Sequence, residues 1–280
     1  MGAPTPVVPA LERSFGRMNA GFRVRDGRTV LASLLQDGCL KARFPQQHST
    51  NFKTGTLINT TGGIADGDIL NVDVQVGEGC DVVLTSQAAE RVYKAHNMLV
   101  PAQLETRLHV ASGATLYWLP QETILFGGGA IERHYSLDLA TTGRCLIAEM
   151  LVLGRVARGE VVETASLFDR WRVRVGGRLV FADGFRLTGP VAGVASTARL
   201  GEAKAVATVL FVAPDAADYT ARLRDRLASV GCHAACSERS GVLIIRLAGA
   251  SPLKVRDAVM AAIAVLDGDR GMAQPVLSRW

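Results

Sequence analysis

The sequence predicts a mainly β protein, with a β-helix-like or layered β body followed by a smaller α/β subdomain. Three observations carry this. Apolar and polar residues alternate clearly over residues 69–76, 104–110 and 131–139, the period of a strand with one face turned inward. Glycine turns follow such runs at Gly79, Gly113, Gly143 and Gly176, 30 to 34 residues apart, a spacing found in stacked repeats. Beyond about residue 200 the apolar spacing becomes helical in two stretches.

Taken in order, residues 1–20 carry three prolines and few periodic apolar residues, and are expected to form an N-terminal arm. Residues 21–200 form the expected β-rich scaffold. Each unit there reads as strand, glycine turn, strand: 72–76 leads into 81–85, 108–110 into 115–119, 137–139 into 145–149, and 173–175 into 179–181. Stacked two-strand units fit this pattern, and so does a set of ordinary hairpins with the same glycine turns. Residues 201–280 form the α/β subdomain. Ala205 to Val212 is a strand, and Tyr219, Leu223 and Leu227, four apart, mark a helix within 215–230. A further strand covers 241–247. Ser251 and Pro252 then open a helix that runs to Leu266, with Ser as N-cap, Pro at the first position and Gly268 past the end. No Pro/Ser-rich linker precedes this segment, so it is expected to pack on the scaffold.

With 280 residues, 48% of them hydrophobic, the chain can bury a large core. Its longest apolar run, 258–266, is half of what a membrane helix needs, and residues 1–6 lack the charged-then-apolar order of a secretory leader. Five scattered cysteines suit a reducing compartment; a cytoplasmic protein is expected. Cys80 and Cys145 sit in apolar strands and read as small core residues. The net charge of +5 comes without a Lys/Arg block, finger spacing or RNA-binding aromatic motif, which argues against nucleic acid and for an acidic protein partner. Arg170, Arg172 and Arg174 share one strand face, and Arg222 and Arg226 one helix face, as charges for such docking or for solvent.

The chemistry is sparse. There is no P-loop, no His-Glu-x-x-His, no paired Cys-x-x-Cys and no nucleophile elbow. Cys232, His233 and Cys236 form one short cluster of soft ligands, fewer than a full site needs; incidental loop and core cysteines are the favoured reading. The glycine-rich stretch 60–68 holds Asp66 and Asp68 within one turn. They are either oxygen ligands for a cation in transit or side chains that cap their own turn, and the turn reading is favoured on physics alone. Carboxylates and amides recur where the second strand of each unit ends: Gln87, Glu90, Gln121, Glu122, Glu149, Glu160 and Glu163. Stacked units would align them into a polar row, affordable inside a protein only where it lines water.

Four of these stretches carry a resemblance. Residues 59–68 resemble a Gly-Gly-x-x-Gly-Gly-Asp loop, with Asp66 where glycine is usual. Residues 84–94 resemble a Thr-x-Gln-Ala-x-x-Lys-x-Tyr block, with Arg91 for lysine. Residues 117–126 and the polar strand holding Arg133 follow, then 149–160 with Gly154-Arg155 and Gly159-Glu160. In this order they are similar to the urease accessory protein family UreD, also called UreH. The resemblance covers roughly residues 55–165 distinctly and the last third less so.

That resemblance implies a non-enzymatic, β-helical scaffold for urease maturation. It would bind a UreF-type protein, which recruits the UreG-type GTPase, and would contact apo-urease with another surface. Nickel would pass through a water-filled interior, with no tightly bound cofactor and only Ni2+ in transit. The expected transient nickel path is Asp66, Asp68, Gln87, Glu90, Glu122 and Glu149, binding weakly so that the ion can leave. The alternative is a carboxylate-dependent hydrolase on a β-solenoid or sandwich fold.

Overall fold

The alternating segments close into two facing sheets in this computed structural model, which describes residues 12–46, 52–190 and 200–277. Two hairpins come first: β1 (Phe15–Arg25) with β2 (Arg28–Gly38), then β3 (Leu40–Arg43) with β4 (Lys53–Asn59). The middle of the chain supplies β5 (Ile69–Val76), β6 (Asp81–Ser86), β7 (Glu90–Val92), β8 (Ala102–Val110), β9 (Thr115–Leu119), β10 (Thr123–Leu125), β11 (Ala130–Leu139) and β12 (Arg144–Leu153). A long hairpin, β13 (Thr164–Val175) with β14 (Arg178–Pro190), follows. The chain then adds β15 (Ala205–Val212), α1 (Thr220–Leu227), β16 (His233–Arg239), β17 (Val242–Gly249) and α2 (Pro252–Asp267). The first sheet runs β14-β13-β11-β8-β5-β1-β2. The second runs β16-β17-β15-β12-β9-β6-β4-β3, with β7 and β10 paired beside it.

Three of the four sequence units are rungs of a stack. β5 passes to β6, β8 to β9 and β11 to β12, each crossing from the first sheet to the second, and successive rungs pair in parallel. Gly79 and Gly113 make the crossings at φ +65°, in the left-handed region. The fourth unit is different. Gly176 and Gly177 turn β13 back antiparallel onto β14 within the same sheet, so there the hairpin reading holds.

Two expected boundaries move. β1 begins at Phe15, so the arm expected over residues 1–20 is cut short: Met18, Ala20 and Phe22 are one inward row of one strand, and the row crosses residue 20. Residues 1–11 of that arm lie outside the described residues. At the other end, β15 pairs with β12 from Cys145↔Val212 to Val152↔Ala205. The segment after residue 201 therefore extends the second sheet. The strand β16 has no counterpart among the sequence expectations; its exposed residues do not alternate in hydropathy.

The core has two layers. One fills the space between the sheets, with Leu108, Leu116, Ile131, Leu137 and Cys145 fully buried. The other lies under the helices, where Val255, Val259, Ile263 and Leu266 of α2 cover Tyr117, Leu146 and Phe211 on the outer face of the second sheet. The start of α2 is as read: Ser251 accepts a hydrogen bond from the Lys254 amide and Pro252 takes the first turn. Asp267 holds its far end, accepting from the Met272 and Ala273 amides at 3.0 and 3.1 Å. Cys80 and Cys145 are fully buried, as their strands suggested, and burial pushes both thiols up. Among the described residues no helix is long and apolar enough to cross a membrane.

The register makes the space between the sheets uneven. In the first sheet the rows Val76–Val110–Leu139–Val175 and Val74–Leu108–Leu137–Val173, nearest the glycine turns, are wholly apolar. The rows farther along are Val72–Thr106–Tyr135–Trp171 and Leu70–Leu104–Arg133–Asp169. The second sheet places Glu149 beside Thr208 at the matching end. One end of the sandwich is greasy; the other is lined by charge.

Candidate functional site

The charged end is organised around Arg133. Strand phase puts it there: β11 turns Ile131, Arg133, Tyr135 and Leu137 inward, and only the second of these is charged. The same phase brings Asp169 in from β13 and Glu149 in from β12. Arg133 grips Asp169 with two prongs, Nε to Oδ1 at 2.7 Å and Nη2 to Oδ2. Its Nη1 donates to Thr123 Oγ1 at 3.0 Å and to Glu149 Oε2 at 3.2 Å. The other oxygen of Glu149 accepts from the Trp118 indole at 3.1 Å. All three charged groups are at least nine-tenths buried.

Burial at this depth penalises charge, and neighbours must compensate. Burial pushes the Glu149 carboxyl up, a shift that the Arg133 guanidinium opposes. Arg133 stays charged: burial works against it, but Asp169, Tyr135 and Glu149 together outweigh that cost, so its pKa lies well above the ordinary value. Burial raises the Tyr135 phenol too, with the Glu149 charge adding to it.

Two cavities meet at this cluster. The larger, about 370 Å³, lies where the sheets end at β13–β14 and β15–β17–β16. It is lined by Glu149, Asp169, Asp183, Thr208 and Arg246, and reaches exposed residues at His233 to Ala235. Across its mouth Arg246 of the second sheet pairs with Asp183 of the first and donates to Thr208 Oγ1 at 2.6 Å. The smaller, about 90 Å³, runs towards β3 and β4 and is lined by Asn59, Ser86, Glu90, Thr106 and Gln121. Arg133 and Glu149 line both. From that shared wall the larger extends to β14 and β16 and the smaller to β3 and β4.

The residues expected on a polar path have separate placements. Glu149 sits where the cavities meet. Glu90 lines the smaller one, accepts from Asn59 Nδ2 at 3.1 Å, and burial pushes its carboxyl up. Asp68 is buried and accepts from the Ser14 and Ala65 amides at 2.7 and 2.8 Å. Asp66 accepts from Arg13 at 2.9 Å and from the Asn97 amide at 3.2 Å. Burial works against the Asp66 charge, but the His96 and Asn97 amides and Arg13 together bring its carboxyl below the usual range. Asp68 thus caps its own turn through the Ala65 amide, the role that loop chemistry favours, whereas Asp66 ties the loop to Arg13 and Asn97. Gln87 is exposed. Glu122 is tied to Arg256 of α2, and Glu160 to Arg155 at 2.8 Å. None of Asp66, Asp68, Gln87 and Glu122 lines either cavity. In the soft-ligand cluster, Cys232 and Cys236 pack towards the helix layer, whereas His233 lines the larger cavity. Among the described residues no group of three His, Cys, Asp or Glu side chains is arranged to hold a metal ion.

Sequence reading missed Asp169, Asp183 and Arg246, and gave Arg133 no role. A signal was available for two of them. Arg133 and Asp169 each occupy the inward phase of a strand whose other inward residues are apolar, and a charge in that phase needs a partner inside.

The sequence is similar to known proteins along most of its length. A family model described as "UreD urease accessory protein" matches residues 14–280. The chain is 39% identical over 279 residues to "Urease accessory protein UreD" of Methylobacterium sp. (strain 4-46), covering 97% of each chain. It is 40% identical over 271 residues to "Urease accessory protein UreD 2" of Methylorubrum populi, covering 94% of this chain and 90% of that one. It is 38% identical over 269 residues to "Urease accessory protein UreD 1" of Brucella melitensis biotype 1, covering 94% of each.

Proposed function

Since this chain belongs to the UreD urease accessory protein family, we propose that it is the scaffold of a nickel-inserting complex and passes Ni2+ to apo-urease through its interior. Its role lies in urease maturation and is that of an accessory protein. The partners in this reading are a UreF-type protein, a UreG-type GTPase recruited by it, and apo-urease. The complex works in the cytoplasm. GTP hydrolysis in the partner supplies the energy, and this chain supplies a body and a passage.

One observation carries the passage: two cavities with largely apolar walls share Arg133 and Glu149, and their polar groups gather at and beside that junction. Oxygen donors of Glu90, Glu149 and Thr123 lie along them, suited to weak contact with a borderline divalent cation. Of the six residues expected on a nickel path, Glu90 and Glu149 remain on the route proposed. The hydrolase alternative needs one carboxyl free as acid and another as base; here the interior pair Glu149 and Asp169 is tied to a single guanidinium.

The test is urease activation by the reconstituted complex with Ala235→Trp, which places a large ring in the larger cavity at an exposed position. The expected result is co-purification with both partners at the wild-type ratio and at least a tenfold loss of activation. Unchanged activation by an intact complex would refute the passage. Failure of the wild-type chain to retain the partners would refute the complex.

A further inference from the structure

The two cavities share a wall, and the wall is a cation. Arg133 lines both spaces and touches a carboxylate from each of two strands in facing sheets: Glu149 of the second sheet and Asp169 of the first. One guanidinium is shared between two carboxyl groups that converge from facing sheets. Two carboxyls converging on one point make a place for a doubly charged cation, yet the arginine that fills it repels any cation that approaches.

We propose that Arg133 is the gate of the passage: at rest its guanidinium holds Glu149 and Asp169 and bars a divalent cation, which crosses when the guanidinium is displaced into the larger cavity. This rests on the passage proposed above and assigns its control point. Displacement has room, because about 370 Å³ lies on one side, on the order of ten waters at ~30 Å³ each. On that side the carboxylate it would approach is Asp183, which Arg246 holds at rest. The oxygens uncovered by the move are those of Glu149, Asp169 and Thr123, a donor set of the class that holds borderline divalent ions loosely. Arginine suits the closed state because its planar fork engages Asp169 with two bonds while Nη1 reaches across to Glu149 and Thr123; a lysine ammonium is a point charge and cannot bridge in this way.

Binding of Ni2+, supplied as its chloride, to the full chain measures the gate directly, by calorimetry or equilibrium dialysis without partners. Arg133→Met should bind one ion per chain at least tenfold more tightly than wild type, and the gain should vanish in Arg133→Met/Glu149→Gln. Arg133→Lys should fall between them. Near-ultraviolet circular dichroism identifies a folded variant. A folded Arg133→Met that binds no better than wild type overturns the gate. Should Arg133→Met not fold, Arg133→Lys decides, and the absence of any gain over wild type has the same consequence. The two readings separate cleanly. A gain in binding alongside an Ala235→Trp complex that still activates urease removes the passage and leaves Arg133 only as the group that keeps a cation off Glu149 and Asp169. The reverse pair of results keeps the passage and removes the gate.

Discussion

Glu149→Ala should destabilise the protein by about 3 kcal/mol, at the lower end of the ~3–5 kcal/mol seen when one partner of a buried ion pair is removed. The carboxylate is 5% exposed and accepts from Arg133 and Trp118. Its loss removes a charge-assisted hydrogen bond, worth ~1.5–3 kcal/mol, and strands the indole N–H, at a further ~1–3 kcal/mol. Two effects offset this. Arg133 keeps its two-pronged hold on Asp169, and the desolvation of the carboxylate, which pushes its pKa up, is relieved. Glu149→Gln keeps the shape and one accepting oxygen and should cost less, about 1–2 kcal/mol for one imperfect hydrogen bond. Denaturant unfolding at neutral pH reads both values as midpoint shifts at constant slope. The sign with pH is set by the raised pKa. A buried acid with a raised folded pKa contributes stability that is complete below its unfolded value and disappears as pH rises through the folded one. The margin of wild type over Glu149→Gln should therefore narrow as pH rises above the ordinary carboxylate range. Equal midpoints for wild type and Glu149→Ala, or a margin that widens with pH, would refute this account of the cluster.

Further outcomes follow from other contacts. Hydrogen bonding by Arg155 depresses the Glu160 carboxyl to about 2, with the Arg155 and Gly127 amides also holding it; the tie is complete above the usual Glu range and lost as pH falls towards that value. Amide exchange at Gly127 and Arg155 should accelerate over that window in wild type and show no such step in Glu160→Gln; matching profiles would remove the tie. Asp267→Ala strands two buried amides, at ~1–3 kcal/mol each, so the melting temperature should drop by several degrees, and an unchanged one would mean that the end of α2 is held otherwise. Arg246→Gln opens the mouth of the larger cavity. Because Arg246 is well exposed, stability should change by less than ~1 kcal/mol, while acrylamide should quench tryptophan fluorescence more strongly through Trp171, which lines that cavity. Identical quenching would show that the mouth is not closed by this pair.

The sheets were legible because a period of two is written in every rung: 69–76 and 131–139 alternate along almost their whole length. Stacking was legible as far as the glycine turns. The turn at Gly176–Gly177 looks the same in sequence as those at Gly79 and Gly113, and only the partner available to each second strand decides between crossing and folding back. β16 was not legible, because its exposed residues need no pattern to pair with β17. Glu149 was found through its place at the end of a unit, and Asp66 and Asp68 through an unusual loop whose carboxylates turn out to tie it to Arg13, Ser14 and Asn97. Glu122 looked free until Arg256, 134 residues away, arrived beside it. Arg133 and Asp169 were readable one strand at a time as inward charges; that they meet each other and Glu149 depends on register between three strands, which no single segment records.

The two hairpins at the ends of the first sheet have a consequence for solubility. A stack of parallel rungs is open-ended by construction, and each terminal rung would template another strand from a neighbouring molecule. Here β1 and β13 are instead met by antiparallel returns, β2 and β14, with arginines at Arg28, Arg178 and Arg186 along the outermost strands. These returns act as end plates that set antiparallel, arginine-bearing edges where a bare parallel rung would otherwise stand.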